Sequence, residues 1–188
     1  MTKYPVLVAV LVGLTSSTVT AQAASAPRPP SLDSIARPAA RPEDVSSPDA
    51  IIKAVYDVIS GGAGQKRDWN RMRSLFVPNA RLMPAVARQG GGSAVIVLSV
   101  DDYIARSGPA LEQNGFFEVE IKRVSESYGN VMHLFSTYES RRLATDEKPF
   151  ARGINSFHLL KDGDRWWVVS IYWQQETPQL PIPAKYLP

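Results

Sequence analysis

Residue types that carry enzyme chemistry are sparse in this sequence. There is no cysteine, which excludes thiol catalysis, disulfides and cysteine-based metal sites. The only two histidines are His133 and His158, and a pair of histidines without carboxylate or cysteine companions does not predict a metal site. No Gly-x-Ser-x-Gly segment is present, so a serine hydrolase is unsupported. Motifs therefore predict no catalytic residue, no metal and no cofactor.

Two classes of phosphate-bearing partner are also disfavoured. The glycine-rich segment at residues 88–93, RQGGGS, lacks the Gly-Lys-Ser/Thr ending of a phosphate-binding loop and leads into a predicted strand, so a flexible loop is predicted there. The net charge is only +3, and the longest basic runs are pairs such as Lys66-Arg67. Nucleic-acid binding usually needs a clustered basic surface, so no nucleic-acid partner is predicted.

The elements that would position a site are clearest at the end of the chain. Residues 153–173, GINSFHLLKDGDRWWVVSIYW, predict two strands joined by a tight turn at Asp162-Gly163. A second turn signal at Tyr128-Gly129-Asn130 and a loop near residues 142–149 extend this to an antiparallel meander. Its four strands are predicted at residues 116–127, 131–140, 150–160 and 165–173.

Three helices and two short strands are predicted before the meander. Ser47 before Pro48 is typical of a helix start, and Asp68 and Asp101 cap two further helices. Short extended segments at residues 80–86 and 94–99 separate them. The predicted fold class is α+β: a cone-shaped, curved antiparallel sheet that three N-terminal helices close around a pocket.

Alternation counted from the tight turns assigns the strand residues to two faces. The core face would contain Phe117, Val119, Ile121, Met132, Leu134, Ser136, Tyr138, Gly153, Asn155, Phe157, Leu159, Trp166, Val168, Ser170 and Tyr172. Within it, Ser136, Asn155 and Ser170 form a polar row across three strands. Buried polar groups need partners, so this row bonds to itself, holds water or meets a ligand.

The opposite face would carry Glu118, Glu120 and Lys122 toward solvent on the first strand of the meander. His133 and His158 would lie opposite each other there, and Glu139 would form an ion pair with Arg152.

On the last two strands the same face becomes an apolar patch, predicted to be covered by a second copy of the chain. Its members would be Ile154, Trp167, Val169, Ile171 and Trp173. Cover by the proline-rich C-terminal tail, residues 177–188, is the competing explanation.

The N-terminus predicts export. Residues 1–23 have a lysine, an apolar run and an Ala-Gln-Ala cleavage site, the pattern of a secretory signal peptide. The apolar run of about ten residues is shorter than the ~20 needed to span a bilayer, so no membrane span is expected after cleavage. Residues 24–45, rich in Pro and Ala, predict a disordered linker before one domain at residues 46–176. A periplasmic or secreted location is expected.

Three stretches resemble the nuclear transport factor 2-like superfamily, in particular its SnoaL-like bacterial branch. They are IIKAVYDVI (residues 51–59), DWNRMRSLFVPNARLMP (residues 68–84) and the closing stretch at residues 153–173. The resemblance covers about residues 47–176 and implies a cystatin-like cone of curved sheet around a pocket, often dimeric through the sheet.

The same resemblance implies where an active site would lie. Tyr56 matches the tyrosine with which the ketosteroid isomerases of the superfamily donate a hydrogen bond to the developing oxyanion. The position of their general base appears here as Met83 or Pro84, and neither side chain can accept a proton. The second oxyanion donor would fall near Asn155 or Ser156. This departure argues against isomerase chemistry of the known kind.

The leading hypothesis is therefore an exported, homodimeric protein that binds a small apolar or aromatic molecule without catalysis. The pocket would be lined by Tyr56, Trp69, Met83, Tyr103, Leu134, Ser136, Tyr138, Asn155, Phe157 and Ser170. An isomerase, lyase or cyclase with an unrecognised base is one alternative. It needs an ionisable side chain that points into the cone, and Arg123, Asp57 and Asp102 are the only candidates. The other alternative is an envelope-associated interaction module.

Overall fold

Four α-helices and six strands follow one another in the computed structural model, which describes Leu32 and residues 37–188. The helices are α1 (Pro42–Val45), α2 (Pro48–Ile59), α3 (Trp69–Leu75) and α4 (Val100–Asn114). The strands are β1 (Phe76–Ala87), β2 (Ser93–Val95), β3 (Phe117–Tyr128), β4 (Val131–Arg141), β5 (Ala151–Asp162) and β6 (Arg165–Gln175). The predicted signal peptide lies outside the described residues. None of the helices in the described part is long and apolar enough to cross a membrane.

All six strands form one sheet in the order β2-β1-β6-β5-β4-β3. The predicted antiparallel meander is confirmed in β3 to β6, and β1 joins its far edge parallel to β6. The two hairpin turns begin at Gly129 (φ 55°) and Gly163 (φ 58°), where glycine adopts a positive φ at low cost. The second turn is thus formed by Gly163 and Asp164, one residue later than predicted.

Short polar side chains start the helices that cover this sheet. The hydroxyl of Ser47 accepts a hydrogen bond from the amide of Ala50 (3.0 Å), and Asp68 accepts one from the amide of Arg71 (2.9 Å), as predicted. The predicted Asp101 cap is wrong. Ser99 caps α4 instead, and the Asp102 carboxylate accepts a hydrogen bond from the Ser99 amide (3.0 Å), which completes a capping box.

The core lies between α2 and the concave face of the sheet. Large apolar side chains of α2 are at most 7% exposed. They pack against residues of β4, β5 and β6 that are at most 5% exposed. The α2 set is Ile51, Ile52, Val55, Tyr56, Val58 and Ile59; the sheet set includes Leu134, Phe157, Leu159, Val168 and Ile171. Burial of side chains of this size stabilises a fold by roughly 1.5–3 kcal/mol each, so α2 is held firmly over the sheet.

A β-bulge in β3 corrects the predicted faces of that strand. The pairing with β4 shifts between Glu120 and Lys122, so that Ile121 is the extra residue. For the residues that follow Ile121 the predicted faces are right, and Arg123 pairs with Ser136 on the concave side. The side chains that precede Ile121 lie on the face opposite to the predicted one. Glu118 and Glu120 therefore point into the cone, and Phe117 and Val119 do not belong to the core face.

A second bulge does the same in β6. The pairing with β5 shifts between His158 and Leu159, opposite Ser170 and Val168, which leaves Val169 as the extra residue. Trp166 and Val168 lie on the core face as predicted. After the bulge Ile171 and Trp173 turn inward, whereas Ser170 and Tyr172 turn outward, the reverse of the sequence-based assignment.

Both chain ends of the described part pack on the domain. The predicted disorder of residues 24–45 is wrong for α1, because Val45 is 5% exposed and Asp44 pairs with Arg71 at 2.7 Å. Most of the remaining linker lies outside the described residues.

The C-terminal tail crosses the outer face of the sheet. Thr137 donates a hydrogen bond to the carbonyl of Tyr186 (2.7 Å), and the rings of Phe135 and Tyr186 lie 5.5 Å apart. The tail therefore covers part of the outer face. Val169, 37% exposed, belongs to the part of the predicted patch that stays open, and the homodimer stays a prediction.

The histidine pair lies where alternation placed it, on the outer face. His133 and His158 are directly paired in β4 and β5, with ring centroids 5.0 Å apart and hydrogen bonds to Ser156 and Ser170. The predicted Glu139–Arg152 ion pair is wrong although the two residues are opposite each other. Glu139 binds Arg141 at 2.6 Å and Arg152 binds Glu176 at 2.8 Å instead.

Candidate functional site

A cavity of about 260 Å³ lies between α2, α4 and the concave face of the sheet. Its walls are mainly aromatic and aliphatic. Among the described residues that line it, Glu118 has the only carboxyl side chain, and none is Lys, Arg or His. The aromatic members are Tyr56, Tyr103, Phe116, Tyr138, Phe150, Phe157 and Trp173. A concave apolar site with a few convergent polar groups is the usual form of a ligand pocket.

Five of the ten predicted pocket residues line this cavity: Tyr56, Tyr103, Tyr138, Asn155 and Phe157. Leu134 and Ser136 are fully buried in the layer beneath it. Trp69 packs beside Gly108 and donates to Glu112 (3.0 Å). Met83 and Ser170 lie on the outer face: Met83 pairs with the outward Tyr172, and Ser170 follows the bulge in β6.

The cavity also contains a residue that sequence reasoning placed on the opposite face. Glu118 lines the cavity, where its carboxylate accepts hydrogen bonds from Ser140 Oγ (2.8 Å) and Asn155 Nδ2 (3.4 Å). Burial raises the pKa of this carboxyl to about 7, since the apolar walls disfavour the charged form more than the two donors stabilise it. Glu118 can therefore hold or release a proton near neutral pH.

The backbone on both sides of Glu118 is fixed by the end of α2. Ser60, which follows α2, accepts a bond from the amide of Glu118 (3.0 Å). Gly61 and Phe116 exchange two backbone hydrogen bonds of 2.7 and 2.9 Å. The carboxyl is thus held on a rigid strand that is joined to a rigid helix, as a functional group requires.

A chain of hydrogen bonds leads from the cavity wall to the surface. Ser136 donates its single proton to Glu120 (2.9 Å), so in the 2.6 Å contact between Ser136 and Tyr56 the tyrosine must be the donor. The oxygen of Tyr56 then accepts from Asn155 Nδ2 (3.1 Å). Arg123 closes the chain by binding both oxygens of Glu120 at 2.7 and 2.5 Å.

This order of donors changes the role that the resemblance implied for Tyr56. Its proton is already donated to Ser136, and both N–H groups of Asn155 are used by Tyr56 and Glu118. Tyr56 therefore positions Asn155, and through it Glu118, rather than offering a hydrogen bond to a ligand. Two members of the predicted polar row, Ser136 and Asn155, meet at this hydroxyl.

Replacing Tyr56 by phenylalanine is expected to lower the free energy of unfolding by about 1–2 kcal/mol, because buried Ser136 and Asn155 each lose a partner. Chemical denaturation compared with the parent protein measures this loss. Tyr128→Phe, at an 88% exposed residue, is the matched control and should have no effect. Equal stability of Tyr56→Phe and the parent would mean that the hydroxyl is not part of the network.

The remaining two tyrosine hydroxyls at the cavity are free. Within residues 37–188, neither Tyr103 nor Tyr138 has a hydrogen-bond partner for its hydroxyl. Burial, with the negative charge of Glu118 as a second cause, raises the pKa of both, so they stay protonated at neutral pH. Tyr138 lies across Gly153, where a Cβ atom would overlap its hydroxyl. Both hydroxyls are available to a ligand as donors or acceptors.

The other predicted candidates for a base do not reach the cavity. Asp57 pairs with Lys53, Asp102 bonds to the capping residue Ser99 at the start of α4, and Arg123 is bound by Glu120 and Asp49. No three His, Asp or Glu side chains of the described residues lie where they could share a metal ion. Alternation could not have found Glu118, because the bulge at Ile121 places it on the face opposite to the one counted from the turn.

No family model matches the chain, and no curated protein matches it. Solved structures do. One is a protein of unknown function with a cystatin-like fold from Nostoc punctiforme, at a TM-score of 0.50 and 11% identity, covering 70% of this chain and 89% of that one. Another is a nuclear transport factor 2-like protein of unknown function from Pseudomonas putida, at 0.48 and 11%, covering 73% and 88%.

A third, from Parabacteroides distasonis, is provisionally named a ketosteroid isomerase and has a TM-score of 0.46 at 12% identity, covering 70% of this chain and 89% of that one. At identities this low, the likeness shows the fold alone.

Proposed function

From the nuclear transport factor 2-like fold that this chain adopts, we propose that its cone binds a small, mostly apolar molecule and holds one polar group of that molecule against Glu118. The observation that carries the proposal is a carboxyl group inside an aromatic cavity, where it raises the free energy of the folded state unless something binds it. Export and dimer formation, expected from the sequence, belong to the same proposal.

The cavity walls support a narrow choice of ligand. The volume of about 260 Å³ is just below the ~300–1,000 Å³ of typical ligand pockets, which favours a molecule with one ring or two. The aromatic walls contribute apolar contact, while the hydroxyls of Tyr103 and Tyr138 and the carboxyl of Glu118 orient the polar end. Aromatic acids are disfavoured, because no basic side chain in the described part of the chain lines the cavity to neutralise them.

Binding is tested by filling the cavity from α4. Ser107 lines the cavity, and Ala105 is exposed on the same helix. A panel of small aromatic amines, alcohols, ketones and acids is screened by ligand-observed NMR against the parent protein, Ser107→Phe and Ala105→Phe. We expect saturable binding to the parent and to Ala105→Phe, and loss of at least about tenfold in affinity in Ser107→Phe. Binding that Ser107→Phe leaves unchanged would place the ligand elsewhere.

Proton transfer is the second candidate function, and the pKa of Glu118 near 7 favours it. A general base is most effective when its pKa is close to the working pH, and the protonated Tyr103 and Tyr138 could donate to an oxyanion that forms next to it. This would be isomerase or lyase chemistry with a base from β3.

Deuterium exchange tests this candidate without knowledge of the natural substrate. Small cyclic ketones that bind are incubated with the protein in D₂O, and incorporation next to the carbonyl is followed by NMR. Glu118→Gln should slow the exchange by roughly 10²–10⁴-fold, the usual contribution of a general base. Glu126→Gln, the same change at an exposed site on β3, should leave the rate unchanged. Exchange no faster than in buffer would leave binding as the function.

A further inference from the structure

We propose that the molecule held in the cone is an organic cation, a small amine whose ammonium group pairs with the Glu118 carboxylate and rests against the aromatic walls. This inference depends on the proposed function, since it names the ligand class of the same cavity.

Glu118 differs from the other shielded carboxylates of the described residues in having no basic partner. Five other carboxylates with side chains between 7% and 21% exposed each contact a basic nitrogen of the chain at 2.5–2.8 Å. They are Asp44, Glu112, Glu120, Glu139 and Glu176. Across the described residues Glu118 forms no ion pair and has only the neutral donors Ser140 and Asn155. A buried carboxylate without a cation is costly, so the chain leaves this charge for a ligand to match.

Glu120, on the same strand, has the cationic partner that Glu118 lacks. Both glutamates lie on the concave side of β3, two residues apart, ahead of the same bulge. Glu120 has Arg123 on both of its oxygens, whereas Glu118 faces the cavity. One guanidinium, that of Arg142, stacks on Phe150 at 4.3 Å from the ring centroid, but it is not among the residues that line the cavity. Glu120 thus has a cationic partner within the chain, whereas Glu118 faces the space of the cavity.

The aromatic walls of the cavity also suit a cation. Tyr103 and Trp173 meet at 82° with ring centroids 6.4 Å apart, and together they form a corner of the cavity. Aromatic rings attract an ammonium group placed over their faces, tryptophan most strongly, and the attraction grows in a desolvated site. The free hydroxyl oxygens of Tyr103 and Tyr138 can accept hydrogen bonds from N–H groups. A carboxylate within aromatic rings is a set of groups suited to an amine.

The pH dependence of binding follows from the groups around Glu118. Tyr56 on α2, Tyr103 on α4 and Tyr138 on β4 face it and stay neutral, because their pKa values are raised. Asn155 on β5 and Trp173 on β6 carry no charge, and the charges of Glu120 and Arg123 on β3 are paired with each other. Glu118 is therefore the group that titrates at the cavity near neutral pH.

A cation binds the ionised carboxylate, so its affinity rises as pH increases through about 7. A neutral ligand that accepts a hydrogen bond, such as a ketone or an alcohol oxygen, binds the protonated form, so its affinity falls over the same range. The sign of the pH dependence thus distinguishes the two classes of ligand.

The experiment uses three probes of nearly equal shape: benzylamine, benzyl alcohol and benzoate. Their dissociation constants are measured calorimetrically at about pH 6 and about pH 8 for the parent protein, Glu118→Gln and Glu126→Gln. We expect benzylamine to bind best, with affinity about tenfold higher at about pH 8, in step with ionisation of a group whose pKa is near 7. Glu118→Gln should lose at least about tenfold in amine affinity together with the pH dependence, and Glu126→Gln should retain both.

Two outcomes overturn the inference in different ways. Tighter binding of benzyl alcohol or benzoate, or amine binding that Glu118→Gln does not weaken, would reject the cationic ligand and leave the proposed binding function intact. If none of the three probes binds, and no compound of the NMR panel binds the parent protein, both the cationic ligand and the proposed binding function are rejected. Thermal unfolding confirms that Glu118→Gln is folded, and this variant is expected to be more stable than the parent.

Discussion

Replacement of Glu118 by glutamine is expected to raise the free energy of unfolding by about 2–3 kcal/mol at about pH 8. Most single substitutions lower it. Glutamine has nearly the same shape and keeps an oxygen for the Ser140 hydroxyl, but it brings no charge into the cavity. For a domain of this size the gain corresponds to an increase in melting temperature of roughly 5–10 °C.

The sign of the effect follows from linkage. The pKa of Glu118 is about 7 in the folded protein and 4.5 for an unperturbed glutamate, so the unfolded chain loses this proton first. Protonated Glu118 is not penalised, and the parent and the variant should therefore be similarly stable below about pH 4.5. The parent should lose stability, relative to the variant, as pH rises from about 4.5 to about 7, and the difference should stay constant above that.

Urea denaturation of both proteins at several pH values measures this difference directly. Glu126→Gln, an exposed position on the same strand, provides the control and should show no such pH-dependent difference. A constant offset between Glu118→Gln and the parent at all pH values would mean that the carboxyl is not buried as a titrating group. Addition of a bound cation should restore part of the lost stability of the parent above about pH 7.

Replacement of Arg67 by methionine is expected to have the largest destabilising effect, about 3–5 kcal/mol. The guanidinium of Arg67 is buried and donates to four backbone carbonyls, those of Ile59 (3.1 Å), Gly61 (2.6 Å), Gln65 (2.5 Å) and Leu111 (3.1 Å). Methionine fills a similar length but donates nothing, so these carbonyls lose partners at roughly 1–3 kcal/mol for each group that stays buried.

Position 61 shows how closely the chain is built around this guanidinium. A Cβ atom on Gly61 would lie 2.6 Å from Nη1 of Arg67, so only glycine admits the side chain there. Arg67 joins the end of α2 to the last turns of α4, and Gly61 continues to Phe116 and the start of β3. The end of the cone that presents Glu118 therefore depends on this one arginine.

Denaturation of Arg67→Met, Arg67→Lys and Arg73→Met tests this role. Lysine keeps the charge and up to three donors without the planar fork, so a smaller loss of about 1–3 kcal/mol is expected. Arg73 is 36% exposed at its side chain and pairs with an Asp101 that is 72% exposed, so Arg73→Met should change stability by less than about 1 kcal/mol. Equal stability of Arg67→Met and Arg73→Met would contradict the assignment.

The two large effects have opposite signs because the two charges have different surroundings. Arg67 is satisfied by the fold itself, and its removal leaves acceptors without donors. Glu118 is satisfied only in part, by two neutral donors, and its removal relieves the fold. A residue that destabilises the fold at its own position commonly has a functional role.

Much of the architecture could be predicted from local signals. The two hairpin turns, the Ser47 and Asp68 caps and the apolar face of α2 each depend on a few neighbouring residues. Each is found as predicted, except that the turn at Gly163 is formed one residue later. With the four long strands, these signals are enough to indicate the cone. Leu134, Asn155, Phe157 and Val168 are also assigned correctly to the core face, because no bulge lies between them and the turn from which alternation is counted.

The site itself was decided by the tertiary structure. Each of the two strands on which the assignment failed contains a bulge, at Ile121 and at Val169, and beyond the bulge alternation counted from the turn is reversed. Glu118 and Trp173 lie past these bulges and enter the cavity; Ser170 lies past one and leaves it. A bulge inserts one residue without a sequence signature, and every side chain on the side of the bulge away from the turn then lies on the other face. The local sequence therefore determined that a cone forms, and only the pairing of distant strands determined that the Glu118 carboxylate lies inside it, without an ion pair to any described residue.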